Sequence, residues 1–148
     1  MFIVILACLM LMGMTTVIHY EVLRELNDRL PRLQIPSRPK LLVVIFATFA
    51  AHLTEMVVWG LALFLLDGFP GVGNLRSDGP TTALMDCIYF SAETYTSLGF
   101  GDVTPVGHMR LLVGVEALNG LLLVAWSASY TYLSMERFWS LGKGHSKP

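Results

Sequence analysis

Charge is scarce in this sequence. Ten Lys and Arg residues stand against eleven Asp and Glu, 14% of 148 residues, and the formal net charge is -1. That balance gives no basic surface of the kind nucleic acid requires, so no nucleic-acid partner is expected. Cysteine is scarcer still: Cys8 and Cys87 each lie inside an apolar segment and read as small packing residues, not as a disulfide or a metal pair. Glu, His and Ser occur, yet no nucleophile and base share a recognisable motif, which argues against an enzyme. What abounds is apolar. With 54% hydrophobic residues and a mean hydropathy of +0.60, the chain exceeds an ordinary soluble domain, and its length suits one membrane domain.

Phe2 to Ile18 is nearly unbroken apolar sequence; at about 1.5 Å per residue it just crosses a hydrocarbon core and reads as a first membrane helix. A cleaved signal peptide is the rival reading, but the segment lacks a basic n-region and a small-x-small cleavage site. From His19 to Leu30, Val22, Leu23, Leu26 and Leu30 fall on one face, which makes residues 19–30 an amphipathic extension expected at the membrane surface. Residues 1–30 thus form one unit. A linker over 31–40 is broken by Pro31, Pro36 and Pro39, and its arginines are not spaced within a membrane helix as a voltage sensor needs.

Residues 41–66 form a second membrane helix with His52 and Glu55 inside its apolar run, and 67–81 read as an irregular loop rich in glycine. Thr81 or Thr82 can cap a short helix over 82–95, with Asp86 in its first turns, where a carboxylate suits the helix dipole. A last membrane helix covers 107–138, and 139–148 form a tail too short for a ligand-binding gating domain. Arg24, Arg29, Arg32, Arg38 and Lys40 crowd the first connection, while Asp67 to His108 holds only Arg76. The positive-inside rule therefore expects the linker and C-terminus in the cytoplasm and the N-terminus outside.

Between the short helix and the last one runs Ser91-Ala92-Glu93-Thr94-Tyr95-Thr96-Ser97-Leu98-Gly99-Phe100-Gly101-Asp102. Two glycines one residue apart, after hydroxyl residues and before a carboxylate, let the backbone alternate between right- and left-handed conformations, so that successive carbonyls point one way. Such a row can replace the hydration shell of a cation. The string resembles the potassium-channel pore domain in its bacterial form, one pore loop between two membrane helices. Thr94, Ser97, Gly99, Phe100, Gly101 and Asp102 stand at that family's filter places, and the likeness runs from Tyr89 and Phe90 to Pro105, within about Leu41 to Phe138.

The resemblance implies an all-α membrane protein with three transmembrane helices, the first of them an addition to the family's two, and a re-entrant pore helix (82–95) and filter (96–102). Residues 41–138 would be the pore domain, with 67–81 as its turret. It implies a homotetramer in a plasma or bacterial inner membrane, passing K+ as the permeant ion with no organic cofactor. Ions would sit at the carbonyls of Ser97, Leu98, Gly99 and Phe100, flanked by Thr96 and Gly101, with the Ser97 hydroxyl as inner rung. Leu121, Val124, Ala128 and Tyr132 would line the cavity, and Gly120 stands where the family often has a hinge glycine; close helix packing is its other reading. Ser97 and Leu98 replace the usual threonine and valine, and Phe100 with Phe90 removes a hydroxyl that ties the filter to its cuff. Glu93 and Asp102 either share a proton, since burial and a like charge raise a carboxylate pKa, or Glu93 binds backbone amides of the filter. A weakly selective cation channel and a non-conducting regulatory subunit are the alternative functions.

Four intramembrane polar residues complete the reading. Glu55 lies about 16 Å below the outer end of the second helix and Glu116 about 14 Å below the start of the last. With His52 and Asn119 on the same faces, they are expected to meet in one cluster, as a structural clamp or as a proton-sensitive gate.

Overall fold

The computed structural model describes residues 1–77 and 83–143, with 37–38 and 139–143 described by backbone alone. Three long helices dominate: α1 (Phe2–Arg29), α2 (Ser37–Leu66) and α4 (Met109–Lys143). A short helix α3 (Leu84–Tyr95) and two strands, β1 (Gly73–Ser77) and β2 (Val103–Gly107), lie between α2 and α4. The long helices have 28, 30 and 35 residues, about 42, 45 and 52 Å of rise against a hydrocarbon core of about 30 Å. All three are long and apolar enough to cross a membrane. The 12 residues of α3 reach only about 18 Å, so α3 is a re-entrant element.

The ends of α1 fix how it packs. Near its start, Ile5 and Cys8 line a cleft with Leu111 and Val115 of α4, while at its far end Leu30 packs with Val44 and Phe138. Helix α1 therefore runs parallel to α4 and antiparallel to α2. Its buried positions Val4, Cys8, Leu11, Thr15, His19, Leu23 and Leu26 recur every three or four residues, one continuous stripe. The residues from His19 onward continue the same rod and the same stripe instead of forming a separate surface element.

Other boundaries shift for local reasons. Helix α2 starts at Ser37, with Pro39 in its first turn, where a missing N–H leaves no bond unmade. Helix α3 starts after Ala83, whose N–H donates to the Asp86 carboxylate at 3.0 Å. The expected caps Thr81 and Thr82 lie outside the described residues. The loop after α2 is not irregular throughout: β1 pairs antiparallel with β2, from Gly73 opposite Gly107 to Ser77 opposite Val103. Two features hold this ladder. Val72, Leu75 and Val103 are buried in the main core beside Trp59, Leu63 and Leu112, and Asp67 Oδ1 accepts the Leu75 N–H at 2.7 Å.

Gly73 is obligatory for the pairing. Its φ is +112°, and a Cβ there would stand 2.0 Å from the Val106 carbonyl oxygen. Gly71 also has positive φ, +78°, but open space around it. Gly73→Ala should therefore lower the melting temperature of the purified protein clearly more than Gly71→Ala, which carries only backbone strain of about 1–3 kcal/mol. Circular dichroism in detergent measures both, and equal shifts would contradict the strand pairing.

Candidate ion-conduction site

Helix α3 ends at Tyr95, and the chain leaves it through a tight set of bonds back onto its last turn. The Thr96 N–H donates to Ala92 O, the Ser97 N–H to Thr94 O and the Leu98 N–H to Glu93 O, at 3.2, 2.9 and 2.8 Å. The Gly99 N–H reaches Glu93 O at 3.4 Å, and the Phe100 N–H donates to the Glu93 carboxylate at 2.6 Å. Every amide from 96 to 100 is thus turned toward α3. Backbone φ is positive at alternate residues, +58° at Ser97, +57° at Gly99 and +84° at Gly101. Glycine takes this conformation freely, whereas Ser97 is held in it by its neighbours. Among the described residues, none of the carbonyls from Thr96 to Gly101 accepts a hydrogen bond. The whole stretch is exposed on the single chain, including Leu98 at 61% and Phe100 at 66%.

The support behind this strip is largely buried. Glu93 and Thr94 are buried; one Glu93 oxygen holds the Phe100 amide, and the other is buried without a hydrogen-bond partner among the described residues. Burial, with Asp102 close by as a like charge, holds Glu93 above the usual carboxylate range. Asp102 is exposed, and its carboxylate accepts the Val103 N–H at 3.1 Å. Phe90 is buried in the core, while Tyr89, half exposed, lies parallel to the Phe100 ring at 6.5 Å. The aromatic neighbour of Phe100 within the chain is therefore Tyr89, not Phe90.

The intramembrane polar residues do not form one cluster. Glu55 and Glu116 are both fully buried, as their depths required, but they point to different partners. Glu116 takes a short hydrogen bond from Ser91 on α3, and its other oxygen has no hydrogen-bond partner among the described residues. Asn119 donates to Thr15 of α1 at 2.8 Å. Glu55 joins His52, as expected, and also His19 of α1 and the Tyr95 hydroxyl. Depth arithmetic fixes height along a helix and leaves the azimuth open, which is why the two carboxylates were expected to meet. Five partners escaped the sequence reading: Thr15, His19, Ser91, Tyr95 and Ser127. The i,i+4 spacing of Thr15 and His19 on an apolar helix was the available signal for His19.

On α4, Leu121, Val124, Ala128 and Tyr132 fall at i, i+3, i+7 and i+11, one exposed face of the chain. Gly120 lies at the buried edge of this face. A Cβ there would be 2.2 Å from the Tyr95 carbonyl oxygen, so Gly120 lets α4 touch the end of α3, and close packing is the reading its surroundings support.

These elements, two crossing helices with a re-entrant helix and an exposed carbonyl strip between them, match known proteins over the same span. Residues 40–137 match the family described as "Ion channel". A relative named inward rectifier potassium channel Kirbac3.1, from Paramagnetospirillum magnetotacticum, is 31% identical over 98 residues, 66% of this chain and 33% of its own length. A protein named LctB from Geobacillus stearothermophilus is 41% identical over 54 residues, 36% of this chain and 40% of that one. The chain thus spans about a third to two fifths of these curated relatives. No solved structure is significantly similar to it. The family match covers the pore-domain string, the short helix and both helices that enclose them, and the chain belongs to the ion channel family.

Proposed function

We propose that the chain forms a homotetrameric, potassium-selective channel in a cell membrane, with the carbonyls of Ser97, Leu98, Gly99 and Phe100 as ion ligands. One observation carries the reading: alternate positive φ at 97, 99 and 101 with all amides from 96 to 100 bonded toward α3, which leaves the carbonyls on the opposite side. One strip cannot surround an ion. Four around a fourfold axis can, and they would also cover Leu98, Phe100 and part of the α4 face that the single chain leaves exposed. The naming of Kirbac3.1 as a potassium channel supports the choice of ion. In this reading the bilayer surrounds α1 and α2, Leu121, Val124, Ala128 and Tyr132 line the cavity, the N-terminus lies outside and the C-terminus in the cytoplasm.

Glu93 is the residue that ties the filter down. One oxygen holds the Phe100 amide, and we assign to the other a proton shared with Asp102. Because the Glu93 carboxyl lies above its ordinary value in the folded protein, it binds its proton more tightly folded than unfolded. That contribution is complete below the unfolded value and is lost as pH rises through the folded one.

Two measurements test this function. Proteoliposomes holding the protein should release K+ and retain Na+, and Gly99→Ala, which opposes the left-handed backbone, should lose selective flux. Normal K+ over Na+ selectivity in that variant would sink the filter assignment. In planar bilayers, Glu93→Gln keeps a neutral side chain at every pH. The persistence of wild-type current should then change with pH while that of Glu93→Gln stays flat, and parallel profiles would remove the shared proton.

A further inference from the structure

Beneath the filter, four helices converge on one buried ring of side chains. His19 Nδ1 meets Glu55 Oε1 at 2.9 Å, and His52 Nδ1 meets Glu55 Oε2 at 3.2 Å. On the opposite edge, both imidazoles turn Nε2 to the same Ser127 Oγ, His52 at 3.0 Å and His19 at 3.1 Å. The Tyr95 hydroxyl lies between Glu55 Oε2 and His52 Nδ1, 2.9 Å from the latter. His19 and Glu55 are fully buried, and the His52 side chain is 14% exposed.

These contacts outnumber the hydrogens that could fill them. Six contacts join the five groups, while two neutral imidazoles, one phenol and one serine hydroxyl carry one hydrogen each, four in all. Two Nδ1–H groups donating to Glu55 would leave two Nε2 lone pairs competing for the single Ser127 hydrogen. With both hydrogens on Nε2, Ser127 Oγ accepts both through its two lone pairs, and the Tyr95 hydroxyl donates to Glu55. Two Nδ1 lone pairs and a carboxylate then face one another with the Tyr95 hydrogen, at the Oε2 edge, as the one hydrogen among them, a ligand set that a cation completes.

We propose that His19, His52 and Glu55 form an intramembrane site for a divalent transition-metal ion of the Zn2+ type, with Ser127 and Tyr95 orienting its ligands. One ligand atom from each of the three residues lies within 4.8 Å of the others. A tetrahedral ion with bonds of about 2.0–2.1 Å separates its ligand atoms by roughly 3.3 Å, against 2.9 Å between His19 Nδ1 and the ligand oxygen, Glu55 Oε1. Two imidazoles and one carboxylate select a borderline metal over calcium or magnesium, which take oxygen ligands. The outer contacts are already built: an N–H acceptor for each imidazole and a donor for the free carboxylate oxygen. Entry would be along the partly exposed edge of His52. An ion here joins α1 to α2 beside Tyr95, two residues before the first proposed ion-ligating carbonyl, so loading would lock the additional first helix onto the pore domain.

Titration of the purified protein, carried without a histidine tag, with Co2+ tests the site through visible absorption. We expect uptake of about one Co2+ per chain, displaced by Zn2+ and lost in His52→Gln and His19→Ala. Ser127→Ala should bind about 10- to 100-fold more weakly at unchanged helix content, an effect that a purely structural serine would not produce. Absence of Co2+ and Zn2+ uptake by the wild-type protein would overturn the site whatever the variants do, leaving a proton as the cation of the ring. Uptake that persists in both histidine variants would also overturn it, by placing the ion at His108 or His145.

Discussion

In a hydrocarbon core there is no water to satisfy backbone N–H and C=O groups, and each one left alone costs several kcal/mol. Residues 96–101 violate this rule by half. Their amides from 96 to 100 are held by the last turn of α3 and the Glu93 carboxylate, and their carbonyls have no protein partner within the described chain. Much of the remaining architecture follows from that imbalance. Alternate positive φ at Ser97, Gly99 and Gly101 keeps the carbonyls on one side, and α3, too short to cross, delivers the strip and stops. Copies of the chain and a line of cations are the proposed partners that make such a strip tolerable.

Holding a short helix against long ones in lipid needs something other than apolar burial, since lipid is as apolar as the core. Two devices serve here. Gly60 and Gly120 bring backbones together: a Cβ on Gly60 would be 2.7 Å from Ile88 Cα, and one on Gly120 2.2 Å from Tyr95 O. Polar bonds then join the helices pairwise, Ser91 to Met56 O and to Glu116, Asn119 to Thr15, and the ring around Glu55. Such bonds average about 0.6 kcal/mol each in a membrane, so orientation is their main contribution. They fix the azimuth of α1 and α4 about α3, and thereby the position of Tyr95 at the root of the filter.

Much of this was legible in the sequence, and the rest was hidden for physical reasons. The three spans and the pore loop show because unbroken apolar runs and a Gly-x-Gly string are local signals. The β1–β2 ladder does not show, because about 30 residues separate its strands and Gly-Asn-Leu-Arg-Ser has little strand propensity; buried Val72 and Leu75 and the bare Gly73 backbone make it. Glu55 keeps its expected partner His52 but turns to His19 and Tyr95 instead of Glu116, since spacing along one helix says nothing about which neighbour faces it. In the sequence Tyr95 marks only the end of a helix. Its hydroxyl on Glu55 becomes visible only once α2 and α3 are packed.

The central claim is that the carbonyl strip of four copies selects potassium. The reversal potential of a planar bilayer, with K+ alone on the cytoplasmic side and an equal concentration of Na+ alone on the other, tests it most directly. The account predicts a reversal potential far negative of zero on the potassium side, carried by the protein as a tetramer. A reversal potential near zero would contradict it, because a strip that passes both ions alike is not acting as a potassium filter.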